Sequence, residues 1–490
     1  MQTSLIELVA LLGYSGKLSG QTVRLRSPSP TVRGVSIDSR TIEPGQIYFA
    51  IRGPHFDGHD FVDQAFERGA VAAVVEQAFF DRAPARLAPS LVPVEDTVKA
   101  IQQLAREVRR RWGRRVVAVT GSTGKTTTKE MIAALLGARL KVLKSPGNLN
   151  NDYGLPLALL KLEPSDEAAV VELAMSKAGE IARLARVAEP EIGVVTNVAP
   201  VHLQFFDSLD EIASAKRELI ENLAPPGTAI LNFDDSRVQA FREGFSGQVV
   251  TFGMGEGADF RAVEITSAKP AGTRFRLAAR ALDGVFYLPL PGLHNVQNAL
   301  AALAAASLFN IPREELQSAL ASFANLPQRS EILTLPCGRD GVTLINDCYN
   351  SNPLAMERML ETLAAWEAVR RIVVAGEMLE LGPSSPELHR KVGHKAAELG
   401  VDWLLAVQGD AQHFLDGASE AGLPAERLRF FPSAEAAAEF LAALVRPGDL
   451  VLVKGSRGVH LEKVVELVKT LEKSEARNQK PEGTAAHSES

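Results

Sequence analysis

The densest chemistry in the chain is the run Thr120-Gly121-Ser122-Thr123-Gly124-Lys125-Thr126-Thr127. It follows the apolar Arg115-Val116-Val117-Ala118-Val119 and precedes a helical pattern to Leu136, so it reads as strand, glycine turn and helix start. Such a turn aims backbone N–H groups and the positive helix end at a phosphate chain. Lys125 adds a point charge at the β- and γ-phosphates, and the Thr126 hydroxyl is suited to ligate Mg²⁺. Gly121, Ser122, Thr123, Gly124, Lys125, Thr126 and Thr127 are therefore the expected ATP-binding loop. Val119 stands where the strict phosphate-loop pattern has its first glycine, so the match is incomplete. An ordinary strand-to-helix turn is the plain alternative, and the combination of Gly121, Gly124, Lys125 and Thr126 favours nucleotide.

Other residues could complete a site. Glu172 ends the run Val170-Val171-Glu172, and His202 follows Val194-Val195-Thr196-Asn197 after a short loop. At the carboxyl ends of neighbouring parallel strands such residues converge, and a carboxylate with an imidazole can hold a divalent ion. Taken singly, each is as readily a hydrogen-bonded boundary residue. Asn295 and Asn298, in Gly292 to Asn298, lie one turn apart at a helix start, where an amide caps the helix or meets a base edge. Asn346 to Pro353 places six polar or aromatic side chains just past a strand, more than a minimal turn needs. The Asn-rich loop Pro146 to Asp152 is explicable by turn chemistry alone. Lys216, in Ala213 to Leu219, reads as a surface helix lysine.

These residues need elements to position them. At 490 residues the chain is long enough for roughly three domains of ~150 residues. Hydrophobic residues make up 46% and charged residues 23%, which excludes a disordered or fibrous chain. Short strand-like runs and turns fill residues 1–112 as a small α/β domain. Strands at Val116, Ala168, Ile192, Thr228 and Gln248 alternate with helical segments in 113–326. That pattern predicts a central, mostly parallel sheet of phosphate-loop type, followed by antiparallel pieces over Asp259 to Leu288. A second β/α series fills 327–471 and predicts a Rossmann-like, doubly wound domain. Residues 472–490 read as a disordered tail. The fold class is thus α/β in three domains.

The net charge of −6 argues against nucleic acid as a partner. The arginines between Arg106 and Arg115 are expected to be a solvated helix face. No apolar run reaches the roughly 18 residues of a membrane span. Cys337 and Cys348 make no disulfide framework or zinc spacing, which suggests a reducing, cytoplasmic compartment. Met1 to Leu12 reads as an amphipathic helix rather than an export signal. A monomer is expected.

Over residues 1–470 the chain resembles the Mur ligases, in the branch that adds D-alanyl-D-alanine to a UDP-N-acetylmuramoyl tripeptide. The resemblance rests on Asp38-Ser39-Arg40 with Asp57-Gly58-His59, on Thr120 to Thr127, on Gly147 to Asn151 and on Gly292 to Asn298. Asp347 to Pro353, Gly376 to Gly382 and Lys454-Gly455-Ser456-Arg457 are its more discriminating motifs. It implies a UDP-sugar-binding first domain, an ATP-binding centre, and a third domain that captures the dipeptide and clamps the nucleotide. It implies ATP and Mg²⁺, with Thr126, Glu172 and His202 as metal ligands and a CO₂-modified (carbamylated) Lys216 steadying the ion. Lys125, Lys216 and His202 become the implied catalytic residues, and Asn295, Asn298, Arg329 and Asp347 join the ATP site. Ser39, Arg40, Asn148, Asn151, Tyr349, Asn350, Asn352 and Lys454 become the implied substrate contacts. The implied product is the UDP-muramoyl-pentapeptide used in peptidoglycan and cell-wall synthesis, formed through an acyl phosphate. Ala174 and Val459-His460 depart from the usual pattern without removing a ligand. The alternatives are a diamino-acid-adding Mur ligase, a folylpolyglutamate synthase-like ligase, and a nucleotide-binding scaffold without catalysis.

Overall fold

The computed structural model of the chain describes residues 3–13, 29–53, 55–201, 203–267, 272–280, 282–324, 326–335 and 341–469. His202, Cys337 and the expected tail lie outside them. Among the described residues a two-stranded antiparallel ribbon, Thr3–Ser4 with Thr31–Val32, precedes three larger sheets that follow one another along the chain. The first holds Gly34–Ser36, Gln46–Phe49, Ala72–Glu76 and Leu91–Val94, all parallel and in chain order. Leu91–Val94 was not anticipated because Pro93 interrupts it. It is an edge strand, where a missing N–H is tolerated.

The middle sheet has nine strands, and its centre explains the site. Val116–Thr120 lies between Ala168–Glu172 and Ile192–Val195 and is parallel to both. The three strands therefore end together, bringing the glycine turn, Glu172 and the Thr196-Asn197 corner to one edge. Val116 and Ala118 enter one core while Val117 and Val119 enter another, so the sheet is covered on both faces. Beyond Gln248–Gly253 and Phe260–Ser267 the strands Thr273–Ala278 and Gly284–Leu288 run antiparallel, as the alternation predicts.

The third sheet places Asp449–Lys454 between Val342–Asn346 and Arg370–Gly376, all parallel, with Glu331–Leu335 added antiparallel at one edge. Ile345, Val373 and Leu452 pack on one face, and Leu344, Val374 and Val453 on the other, which is the doubly wound arrangement. The ends of its central strands carry Asp347, Lys454 and Glu377 to one edge. No helix among the described residues is long and apolar enough to cross a membrane.

The arginine cluster is solvated as expected at Arg110, Arg111, Arg114 and Arg115, and departs from that expectation at Arg109. Helix Thr97–Trp112 packs against helices Gly154–Leu159 and Glu180–Ala188 of the middle unit and against strand Ala72–Glu76 of the first, and Arg109 is only 5% exposed. Its guanidinium donates to the carbonyls of Ala188 and Glu189 and to Glu191 Oε1, at 2.8, 2.9 and 2.6 Å. Those carbonyls close helix Glu180–Ala188, whose negative end favours a cation. Arg106 and Arg110 pair with Glu189, Arg111 with Glu7, and Arg115 donates to the Leu308 carbonyl. The cluster fastens the first unit, through Glu7, to the middle one, through Glu189 and Glu191.

Candidate active site

The glycines of the phosphate loop are required by its path. Gly124 has φ of 77°, and a Cβ there would collide with the Asn298 side chain. Gly121 has φ of 146°, with Thr196 Oγ1 occupying the place of a Cβ. Asn197 fixes the turn between them: its carbonyl accepts from Ser122 N–H at 2.9 Å, and its Oδ1 accepts from Thr123 N–H at 3.0 Å. Helix Lys125–Leu136 then begins with no side-chain cap, leaving its first-turn N–H groups facing the cleft. Lys125 Nζ folds back on the carbonyls of Gly121 and Ser122 at 2.9 and 3.4 Å. Burial holds this ammonium below the usual lysine value; Glu172 opposes the shift and Arg329 adds to it.

Beside the loop, Thr126 Oγ1 donates to Glu172 Oε2 at 2.7 Å, and Asn150 Nδ2 donates to Glu172 Oε1 at 2.9 Å. Lys216 is not the surface lysine its helix pattern suggested. It is 2% exposed, and burial together with the Lys125 cation pushes its ammonium well below the ordinary value. Lys129, one helical turn after Lys125, is also buried and donates to the carbonyls of Ser145 and Gly147 at 2.7 and 3.2 Å. It thereby anchors the start of the Asn-rich loop. Asn148 and Asn151 line the cleft from that loop, and Asn151 Oδ1 also accepts from Gly154 N–H.

The third unit supplies the opposite wall. Asp347 Oδ1 accepts from Ser330 N–H at 2.8 Å, while its Oδ2 accepts from Lys454 Nζ at 2.5 Å. Lys454 also donates to the Asn350 carbonyl at 3.0 Å. Arg329 stacks on the Tyr349 ring, guanidinium carbon 4.0 Å from its centre, and Arg457 lies 5.5 Å from the same centre. Both walls enclose one cleft of about 630 Å³. Thr362 of helix Pro353–Ala364 abuts Gly292, and Gln204 N–H donates to the Glu380 carbonyl, so the middle and third units meet around it.

The expected residues are not all placed alike. Gly124, Lys125, Thr126, Glu172, Asn295, Asn298, Arg329, Asp347, Tyr349 and Lys454 all border the cleft. Asn295 and Asn298 do not cap their helix. Asn295 Nδ2 donates to the Pro291 carbonyl, and Asn298 Oδ1 accepts from Thr128 under the loop. Asn352 borders the cleft but its Oδ1 caps helix Pro353–Ala364 through Ala355 N–H, a signature readable in Asn352-Pro353. Ser39 and Arg40 are not among the residues that line the cleft. Ser39 donates to Gln64, and Arg40 forks onto Asp38. Lys129 and Asn197 were missed as site residues, although Lys129 follows Lys125 at the spacing of one helix face, and Asn150 and Arg457 were included only within their motifs.

A phosphate-binding turn at the edge of a parallel sheet, closed over by a second doubly wound unit, defines a nucleotide-dependent α/β enzyme. Family comparison identifies three successive matches: the Mur ligase family catalytic domain at 31–109, the Mur ligase middle domain at 119–306 and the Mur ligase glutamate ligase domain at 328–457. A Bacillus subtilis UDP-N-acetylmuramoyl-tripeptide--D-alanyl-D-alanine ligase is 35% identical, covering 89% of this chain and 92% of that one. The Escherichia coli enzyme of the same name is 35% identical over 92% and 95%. The chain belongs to the Mur ligase family. Among solved structures, MurF from Acinetobacter baumannii superposes with a TM-score of 0.85 at 31% identity, covering 96% of this chain and 99% of that one. The MurF ligase of Thermotoga maritima, in complex with ADP, gives 0.79 at 28% identity over 91% and 99%.

Proposed function

We propose that this chain joins D-alanyl-D-alanine to a UDP-N-acetylmuramoyl tripeptide, converting ATP to ADP and phosphate and giving the pentapeptide precursor of peptidoglycan. The observation that carries this reading is the meeting of the phosphate loop with the Asp347-Lys454-Tyr349 wall in one cleft. A ligase needs that meeting, because an activated carboxylate and an incoming amine must share a site from which water is excluded. In this reading the domains divide at 112 and 326, for UDP-sugar capture, ATP and dipeptide capture. Ser39 and Arg40 bind the UDP-sugar outside the cleft, and the reaction proceeds in the cytoplasm by a monomer.

The first-turn N–H groups and Lys125 hold the β- and γ-phosphates, and the tripeptide carboxylate attacks the γ-phosphorus to release ADP. Thr126 and Glu172 would hold Mg²⁺, and their geometry fits: a hydroxyl and a carboxylate oxygen lie 2.7 Å apart at the loop. Bound there, the ion supplies screening of phosphate charge. His202 is proposed as a further ligand. Lys216 is suited to carbamylation, because burial favours its neutral amine, and that amine can add to CO₂ with loss of one proton. The resulting anion would face the same corner. The amine of the dipeptide then displaces phosphate from the acyl phosphate. Mass spectrometry of the product tests the reading: the UDP-tripeptide must gain one dipeptide less one water. Equal conversion with a diamino acid in place of the dipeptide would overturn it.

A further inference from the structure

We propose that Arg457 binds the terminal carboxylate of the incoming dipeptide and so selects a substrate with a free acid end; this rests on the ligase reading above. The dipeptide must present a neutral amine near the phosphate loop while its anionic end lies farther along the cleft, about 7 Å away when extended. Two of the other cleft cations are already committed. Lys125 lies on the loop carbonyls and Lys454 is taken by Asp347, whereas Arg358 is half-buried within electrostatic reach of Glu361, Asp235 and Asp234. Arg329 packs on Tyr349 close enough to Lys125 to depress its ammonium.

Arg457 differs. Among the described residues no carboxylate pairs with it, and its one side-chain partner is the neutral Gln328 Oε1, which accepts from Nη1 at 2.9 Å. A guanidinium has five N–H donors in a planar fork, so the remainder can meet a carboxylate with two parallel hydrogen bonds. The Tyr349 ring and Gln328 restrict this exposed fork from two sides. Its backbone is also tied down, since Ser456 N–H donates to the Glu377 carbonyl and Ser456 Oγ accepts from Leu379 N–H. A second feature points to a ligand here. Ser351 is 4% exposed and borders the same cleft, and its buried hydroxyl has no hydrogen-bond partner among the described residues. A buried hydroxyl left unsatisfied is costly unless a substrate group meets it.

The test is a cycle between residue and substrate group, using D-alanyl-D-alanine and its C-terminal amide with wild type, R457Q and R457K. Wild type is expected to prefer the acid by roughly 10- to 100-fold in kcat/KM, the worth of a charge-assisted hydrogen bond. R457Q should lose that preference while its KM for ATP stays within about two-fold, since the side-chain contacts of Arg457 are to Gln328 and Tyr349 and not to the phosphate loop. R457K keeps charge without the fork and should fall between; it carries the test alone if R457Q does not fold. Full acid preference in either variant, or a raised KM for ATP with the dipeptide KM unchanged, overturns the role. A wild-type enzyme indifferent to the dipeptide instead refutes the ligase reading, and this role with it.

Discussion

Replacing Lys454 with Met should unfasten the third-domain wall, and restoring charge balance at Asp347 should mend the fold without mending the chemistry. The Lys454 side chain is 3% exposed and that of Asp347 15%, with 2.5 Å between Nζ and Oδ2. Removing the lysine leaves a largely buried carboxylate whose remaining contact is the Ser330 N–H, and drops a hydrogen bond to Asn350. Breaking such a pair costs about 3 kcal/mol, at the lower end of the range because Asp347 retains some solvent. For a unit of this size that lowers Tm by roughly 6 to 12 °C. The double variant Lys454→Met, Asp347→Asn removes the orphaned charge and should recover most of the loss, because two neutral groups tolerate burial. Its phosphate release with both substrates should stay at least roughly 10-fold below wild type, since Tyr349 and Asn350 lose the anchor that sets them against the phosphate loop. Scanning calorimetry and a phosphate-release assay read the two effects separately. A single variant with wild-type Tm, or a double variant no more stable than the single, would refute the reasoning.

Three further outcomes follow from the same geometry. Lys125→Met should lower turnover by roughly 10²-fold or more with the fold intact, as expected for one preorganised stabiliser of transition-state charge; calorimetry and steady-state kinetics check both halves. Burial and the Lys125 cation push the Lys216 ammonium well below the ordinary lysine value in the fold, whereas the unfolded chain keeps it protonated up to about pH 10.4, so between the folded and unfolded values the unfolded state binds more protons and stability rises with pH. In CO₂-depleted buffer, Lys216→Met should therefore be more stable than wild type at pH 7, by a margin that shrinks at pH 9, and nearly inactive at both; a pH-independent margin contradicts this account. Arg109→Met should cost about 3 kcal/mol of stability with KM for ATP little changed, because Arg109 joins units rather than touching the cleft.

The phosphate loop was legible because its chemistry is contiguous: glycines, lysine and threonine follow an apolar strand within eight residues. The buried strands were legible for a related reason, since sheets covered on both faces leave continuous apolar runs such as Val116 to Val119 and Trp403 to Val407. Leu91–Val94, Val142–Lys144 and Glu331–Leu335 were not, being short or proline-broken edge strands whose pairing depends on a neighbour distant in sequence. The same limit hid the site's supports. Arg109 looks solvated until helix Glu180–Ala188 presents its carbonyls, and Lys216 looks like a surface residue until the sheet covers it. Arg329 and Tyr349 are twenty positions apart, and only the antiparallel pairing of Glu331–Leu335 with Val342–Asn346 brings them into contact. The substrate role implied for Asn352 met a local competitor, the helix N-terminus it caps.

The central claim is that one cleft couples ATP cleavage to two further substrates. Initial rates of phosphate release should be near background with ATP alone and with either UDP-N-acetylmuramoyl tripeptide or D-alanyl-D-alanine omitted, and should rise only when all three are present. Release at the full rate with ATP alone, or full release with a diamino acid replacing the dipeptide, would contradict the account.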